Sequence, residues 1–87
     1  NEWARLIKQR DGHYCQNCYN VHSLHSHHIL NYAEHPDLRY ELSNGITLCE
    51  SCHLNFHAIY TKSNNTRLQL KEFFIMTRII SRINEKK

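Results

Sequence analysis

Four cysteines and eight histidines are unusual in a chain of 87 residues. The cysteines fall into two pairs, Cys15-Gln16-Asn17-Cys18 and Cys49-Glu50-Ser51-Cys52. With two residues between them, two thiolates can point at one ion, and two such knuckles complete the tetrahedral site that zinc prefers. Two disulfides or four unrelated thiols explain the paired spacing less well, and a redox C-x-x-C needs no second copy. The expectation is a structural zinc held by Cys15, Cys18, Cys49 and Cys52.

The histidines offer a second chemistry. His53 and His57 sit four apart on an expected helix, so both rings lie on one face within reach of one ion. Leu54, Asn55 and Phe56 lie between them, so the zinc-peptidase reading lacks its glutamate base. His27 and His28 are adjacent. Neighbours on a strand point to opposite faces, so only one of the two can face an ion. The other is free to meet a substrate, where a neutral imidazole takes a proton from water. Surface histidines remain the plainer alternative for both pairs. Asn44-Gly45 reads either as a type I′ turn or as an amide that locks backbone across a loop. The residues leave both readings open.

Several elements must position these groups. Glu2 to Arg10 reads as a helix with Trp3, Leu6, Ile7 and Arg10 on or beside one face, ended by Asp11-Gly12. Ser23 to Leu30 alternates as a strand, with Leu24, Ser26, His28 and Leu30 on one side and His25, His27 and Ile29 on the other. Asn31 to Ser43 is an irregular connection containing Pro36, long enough that it should be functional or tied down. Gly45 to Leu48 reads as a second strand and Cys52 to Tyr60 as a helix. After a polar linker, Thr61 to Asn65, the run Thr66-Arg67-Leu68-Gln69 matches a capping box. It opens a helix to about Ile83, whose stripe of Leu70, Phe73, Phe74, Met76, Ile79, Ile80 and Ile83 reads as core. The tail Asn84 to Lys87 is expected to fray.

Composition sets the outer bounds. A chain this short buries only about 60% of its unfolded surface, so a metal staple is an ordinary supplement. Net charge is +3 and the pI near 8.8, which permits a polyanionic partner without demanding one. Lys8, Arg10, Arg39, Lys62 and Arg67 are the candidate phosphate contacts. No run approaches the roughly 18 apolar residues of a membrane span, and no signal peptide is visible. The first residue is Asn1 rather than Met, which is what a trimmed chain or part of a longer one would show. The expected fold class is α+β, one zinc-stapled domain over 1–87 with its core at about 13–60, flanked by N- and C-terminal helices, the latter about 66–83.

The run from the first C-x-x-C through His27-His28-Ile29, then Glu41-Leu42-Ser43-Asn44-Gly45-Ile46-Thr47-Leu48-Cys49, Cys52-His53 and His57 resembles the HNH endonucleases. It is closest to their compact four-cysteine members in phages and mobile introns. That resemblance covers roughly residues 3 to 75 and implies a ββα-metal fold. It implies that His27 fills the first metal-ligand position, often Asp elsewhere, and that His28 is the general base. Asn44 would brace the loop that aims the base. His53 would be a metal ligand, and His57 a third ligand as in some members. The implied activity is one-metal hydrolysis of DNA, leaving 5′-phosphate and 3′-hydroxyl ends. An all-imidazole set favours manganese, nickel or zinc over magnesium as the catalytic divalent ion. The implied partner is DNA rather than a membrane, and the setting intracellular, in the cytoplasm of a bacterial or phage-infected host. A non-catalytic zinc module that binds DNA or protein is the alternative, and it would leave His28, His53 and His57 idle.

Overall fold

The computed structural model describes residues 1–85. Helix α1 spans Glu2–Arg10, strand β1 Leu24–His28, strand β2 Gly45–Cys49, helix α2 Glu50–Tyr60 and helix α3 Arg67–Glu85, with short 3-10 turns at Pro36–Leu38 and Leu42–Asn44. The fold is a small α+β arrangement of a two-stranded antiparallel sheet and three helices around a four-cysteine cluster. Among the described residues no helix is long and apolar enough to cross a membrane.

Asn1 starts α1 by accepting a hydrogen bond from the Ala4 amide, which satisfies one of the free N–H groups of the first turn. Trp3 and Ile7 form its buried face. They lie directly on β2, because Gly45 has no side chain. A Cβ there would sit 2.5 Å from Ile7 Cδ1 and 2.6 Å from Trp3 Cζ2. Asp11 then closes the helix end onto the sheet, its carboxylate accepting from the Thr47 amide at 2.8 Å.

β1 pairs with β2 in a register that runs from Leu24 opposite Cys49 to His28 opposite Gly45. The strand is shorter than Ser23–Leu30 at both ends. Ser23 takes a left-handed φ of 52°. Past His28 the amides of Ile29 and Leu30 donate instead to the backbone and side chain of Asn44. The alternation across β1 follows the pleat. Ser26 donates to the Ala4 carbonyl of α1, and His28 stacks on Trp3 of the same helix. His27 meets Phe56 of α2.

α2 starts at Glu50, two residues before the expected Cys52, because the Cys49 thiol is its N-cap and accepts from the Cys52 amide. The zinc knuckle and the helix start are one structure. α3 opens with the reciprocal capping box: the Gln69 amide donates to Thr66 Oγ1 at 3.1 Å, and the Thr66 amide to Gln69 Oε1 at 3.0 Å.

The stripe on α3 is core only in its first half. Leu70 and Phe73 are buried, but Ile79, Ile80 and Ile83 are 50%, 49% and 56% exposed. Helical periodicity reports which side is apolar, not how far the neighbouring layer extends. Here α3 outruns that layer. It also continues through Asn84 to Glu85, so half of the tail expected to fray is helical, and Lys86–Lys87 lie outside the described residues.

The core proper gathers Cys15, Ile29, Leu48, Cys49, Cys52, Phe56, Leu70 and Phe73. Three of its eight members are cysteines of the two knuckles. The cysteine pairs are therefore part of the apolar core itself.

Candidate metal centres and cleft

The four thiols converge as the spacing requires. Their sulphurs all lie within 4.8 Å of one another, and Cys18 Sγ is 3.5 Å from Cys49 Sγ. A tetrahedron with zinc–sulphur bonds of 2.3 Å has an edge of about 3.8 Å, so the set suits zinc. Backbone amides of Cys18 and Cys52 point at Cys15 Sγ and Cys49 Sγ, each at 3.5 Å. Burial pushes the Cys15 thiol up, yet the amides of Cys18, Cys49 and Asn17 outweigh it and bring Cys15 down to about 7. Burial raises Cys18 and Cys52.

Asn17, inside the first knuckle, donates from Nδ2 to Cys52 Sγ at 3.4 Å and accepts from Thr77 Oγ1 of α3 at 3.0 Å. It links one knuckle to the other and to the long helix. A polar residue between two ligand cysteines was the only sequence signal for this role.

The second cluster joins β1 to α2. His27, His53 and His57 each offer a ring nitrogen, and these lie within 4.8 Å of one another. His57 Nδ1 meets the Thr61 carbonyl at 2.7 Å. A carbonyl only accepts, so Nδ1 carries the hydrogen and Nε2 keeps its lone pair. That bare Nε2 is 3.2 Å from His53 Nε2, close to the edge of about 3.3 Å expected for two imidazoles on one tetrahedral ion. His27 Nε2 is buried and has no hydrogen-bond partner. Burial, then the imidazoles of His53, His57 and His28, push His27 down to about 3. Burial followed by His57, His25 and Lys62 lowers His53 too. Three converging ring nitrogens, one of them buried and orphaned, fit a divalent ion. The donor set holds no oxygen.

His28 lies on the opposite face of β1 but opens onto the same cleft. His27, His28, Tyr32, His53, His57 and Lys62 line a space of about 510 Å³. The His28 ring is held on three sides. It stacks on Trp3 with centroids 4.0 Å apart and planes 12° from parallel, and it meets Tyr32 edge-on at 5.5 Å. Its Nε2 is 2.9 Å from the Arg39 carbonyl. Trp3 is itself anchored, its Nε1–H donating to the Glu41 carbonyl at 2.8 Å. Helical patterning placed Trp3 on or beside one face of α1 but carried no sign that it touches His28.

Asn44 is 1% exposed. Its Oδ1 accepts from the Leu30 amide at 2.8 Å, and its Nδ2 donates to the Leu30 and Leu38 carbonyls at 3.0 and 3.3 Å. The type I′ turn is excluded, since that turn needs positive φ at both central residues and Gly45 is extended with φ −131°. The amide ties both ends of the long connection, which is why that connection is ordered.

The five candidate phosphate contacts scatter. Lys62 lines the cleft, and the Arg39 guanidinium covers Tyr32 beside it at 4.1 Å. Arg67 donates to the Ser43 carbonyl at 2.8 Å, next to Asn44. Arg10 is otherwise engaged. It donates to the carbonyls of Leu42 and Gly45 and to the Asp11 carboxylate, and so serves as a staple between α1 and β2. Lys8 lies on α1 and does not line the cleft. A further pair, Asn31 and Asn65, interlocks side chain to side chain and to backbone beneath the cleft. Neither asparagine carried a sequence signal.

A family model described as HNH endonuclease matches residues 14–58, a stretch that contains both clusters. Anaredoxin of Nostoc sp. is 33% identical over 54 residues, which cover 61% of this chain and 68% of that protein. No solved structure matches the chain.

Proposed function

The chain belongs to the HNH endonuclease family, and from that premise we propose that it is a metal-dependent endonuclease hydrolysing DNA phosphodiester bonds. The observation that carries this reading is one cleft with two kinds of imidazole. Three ring nitrogens gather within 4.8 Å of one another, and His28 stands apart from them on the same wall. The catalytic unit in this reading is centred on residues 13–60.

His27, His53 and His57 are the ligands of a divalent ion, supported by the orphaned Nε2 of His27. An all-nitrogen set favours manganese, nickel or zinc over magnesium. Bound there, such an ion supplies Lewis-acid stabilisation of the charge that develops on the scissile phosphate. His28 is the general base. The Arg39 carbonyl only accepts, so in the neutral ring Nε2 carries the hydrogen and Nδ1 is left to take a proton. A water gives its proton to Nδ1 while its oxygen attacks phosphorus in line. The bond from phosphorus to the 3′ oxygen breaks, and that oxygen takes a proton from solvent water, leaving 5′-phosphate and 3′-hydroxyl ends.

Asn44 keeps the connection between the strands in place, and with it the Arg39 carbonyl that orients His28. Trp3 is a positioning residue for the same ring. Lys62 and Arg39, at the cleft and its margin, neutralise DNA phosphates.

The test is nicking of supercoiled plasmid with manganese, beside calorimetric titration of the same variants. His28→Ala should lower the rate by about 10²–10⁴-fold and still bind manganese. His27→Ala and His53→Ala should lose manganese affinity. If His28→Ala loses the ion while His27→Ala keeps it and is inactive, the two roles are exchanged. A wild-type chain that fails to nick in the presence of manganese, nickel, zinc or magnesium leaves the non-catalytic zinc module as the function.

A further inference from the structure

α3 carries four basic residues at Arg67, Lys71, Arg78 and Arg82, a spacing of i, i+4, i+11 and i+15. At 3.6 residues per turn these four fall within a sector of about 60°, in a line about 22 Å long. All four are exposed, and none is in an ion pair among the described residues. Of the other charges on the helix, Glu72 lies about a quarter-turn or more off the line, while Glu85 falls on it three residues past Arg82 and puts one carboxylate at its far end. Helix stability accounts for Arg82, a cation in the last turn, but not for the rest of the arrangement. The first turn of α3 holds no acidic residue, and Arg67 sits at the end where the helix dipole disfavours positive charge.

Each end of the line reaches a feature of its own. At the near end Arg67 donates to the Ser43 carbonyl, one residue before Asn44. At the far end Arg78 and Arg82 join Tyr19, Ser81, the knuckle residue Cys18 and the carboxylate of Glu85 around a groove of about 440 Å³, so two guanidiniums face one acid there. Tyr19 is 65% exposed and faces Tyr14 at 6.0 Å. Arg78 is steadied over the Phe74 ring at 5.5 Å. The guanidiniums of Arg78 and Arg82 and the hydroxyls of Tyr19 and Ser81 around an open groove are donors that phosphate and sugar oxygens accept from.

We infer that this stripe is a DNA-backbone track, carrying the duplex from the Asn44 loop along α3 to the groove beside the first knuckle. The inference rests on the endonuclease reading for its polyanion. Its length matches the rise of roughly six to seven base pairs, so the footprint extends well past the scissile bond and is independent of base sequence. The exposed Ile75, Ile79 and Ile83 flank the basic line, as in helices that lie on acidic membranes. DNA is favoured because the line begins at the loop that braces His28 and ends in a polar groove.

The experiment measures binding of a labelled 20-base-pair duplex to the zinc-loaded full chain, without added divalent ion, across a salt series. Phosphatidylserine vesicles are titrated in parallel. Arg78→Gln/Arg82→Gln is compared with Arg5→Gln, which removes a charge on α1 away from the line. All of these positions are exposed, and melting curves confirm folding. The double variant should bind several-fold more weakly at low salt. Its slope of log affinity against log salt should flatten by about 1.8, at 0.9 per phosphate contact, while Arg5→Gln changes neither. Equal slopes for the double variant and Arg5→Gln overturn the track, as does vesicle binding that depends on Arg78 and Arg82 when duplex binding does not. Plasmid nicking keeps this separate from the parent reading. Loss of the slope change with His28-dependent nicking intact sinks only the track. A flattened slope without any nicking supports the track and sinks only the enzyme.

Discussion

His27 and His28 are consecutive in sequence and opposite in surroundings. His27 is 4% exposed and neutral over any working pH, pushed down to about 3 by burial and neighbouring imidazoles, so no proton competes with a metal for its Nε2. His28 is clamped by the Trp3 face, the Tyr32 edge and the Arg39 carbonyl. The clamp leads to a prediction for Trp3. Trp3→Leu keeps an apolar filler but loses the stacking face and the Nε1–H donor, so kcat should fall about 10–100-fold through misplacement of the base, with KM little changed. Trp3→Phe, which restores a flat ring, should recover most of it. Trp3 is the sole tryptophan, so its emission reports the stack directly and should change in His28→Ala. A folded Trp3→Leu with unchanged kcat shows that the stack does not position His28.

At the scale of elements, the α1–β2 junction is held by Asp11. Its carboxylate accepts from the Thr47 amide and from Arg10. Burial raises Asp11, but the Arg10 and Thr47 hydrogen bonds prevail and hold it below its ordinary 3.8. A carboxylate depressed in the folded state contributes stability above its unfolded value and loses it as pH falls through the lower folded value. Near neutrality the contribution is complete and flat. Asp11→Asn should therefore cost about 1–2 kcal/mol, with the same loss of melting temperature at pH 6 and pH 8. A penalty that differed between those two pH values would assign the effect to another group. The α3 start is equally local: Thr66→Ala removes one arm of the capping box and should cost about 1 kcal/mol, read as a shift in the denaturation midpoint.

For the whole molecule the deciding quantity is the size of the core. Its central cluster contains Cys15, Cys49 and Cys52, and Asn17 couples the knuckles to α3 through Thr77. Structural zinc in small modules contributes about 10–16 kcal/mol, comparable to or larger than the whole stability of an ordinary domain at 5–15 kcal/mol. Cys49→Ser, or stripping zinc with a strong chelator, should therefore abolish the cooperative melt. Far-UV circular dichroism should show α2 and α3 losing helicity together, because Cys49 caps one and Asn17 tethers the other. A variant that kept its melting temperature would remove the zinc from the account of folding. His53→Ala, by contrast, should leave the melt largely intact, since its ring lines the cleft rather than the core.

Spacing along the chain was enough to determine whatever depends on near neighbours. The two C-x-x-C knuckles, the His53–His57 pair on one helix face, the opposite facing of His27 and His28, and the Thr66–Gln69 box each involve residues within four positions, where backbone geometry leaves few choices. Only the tertiary structure decided what crosses the chain. Asn44 looks like half of a turn until Leu30 and Leu38 are seen at its amide. Arg10 looks like a free cation until Leu42 and Gly45 claim it. Trp3 reaches His28, and Asn17 reaches Thr77, across separations that no periodicity records. The apolar side of α3 was legible, but its exposed half was not, because a helix carries no mark of where the layer beneath it ends.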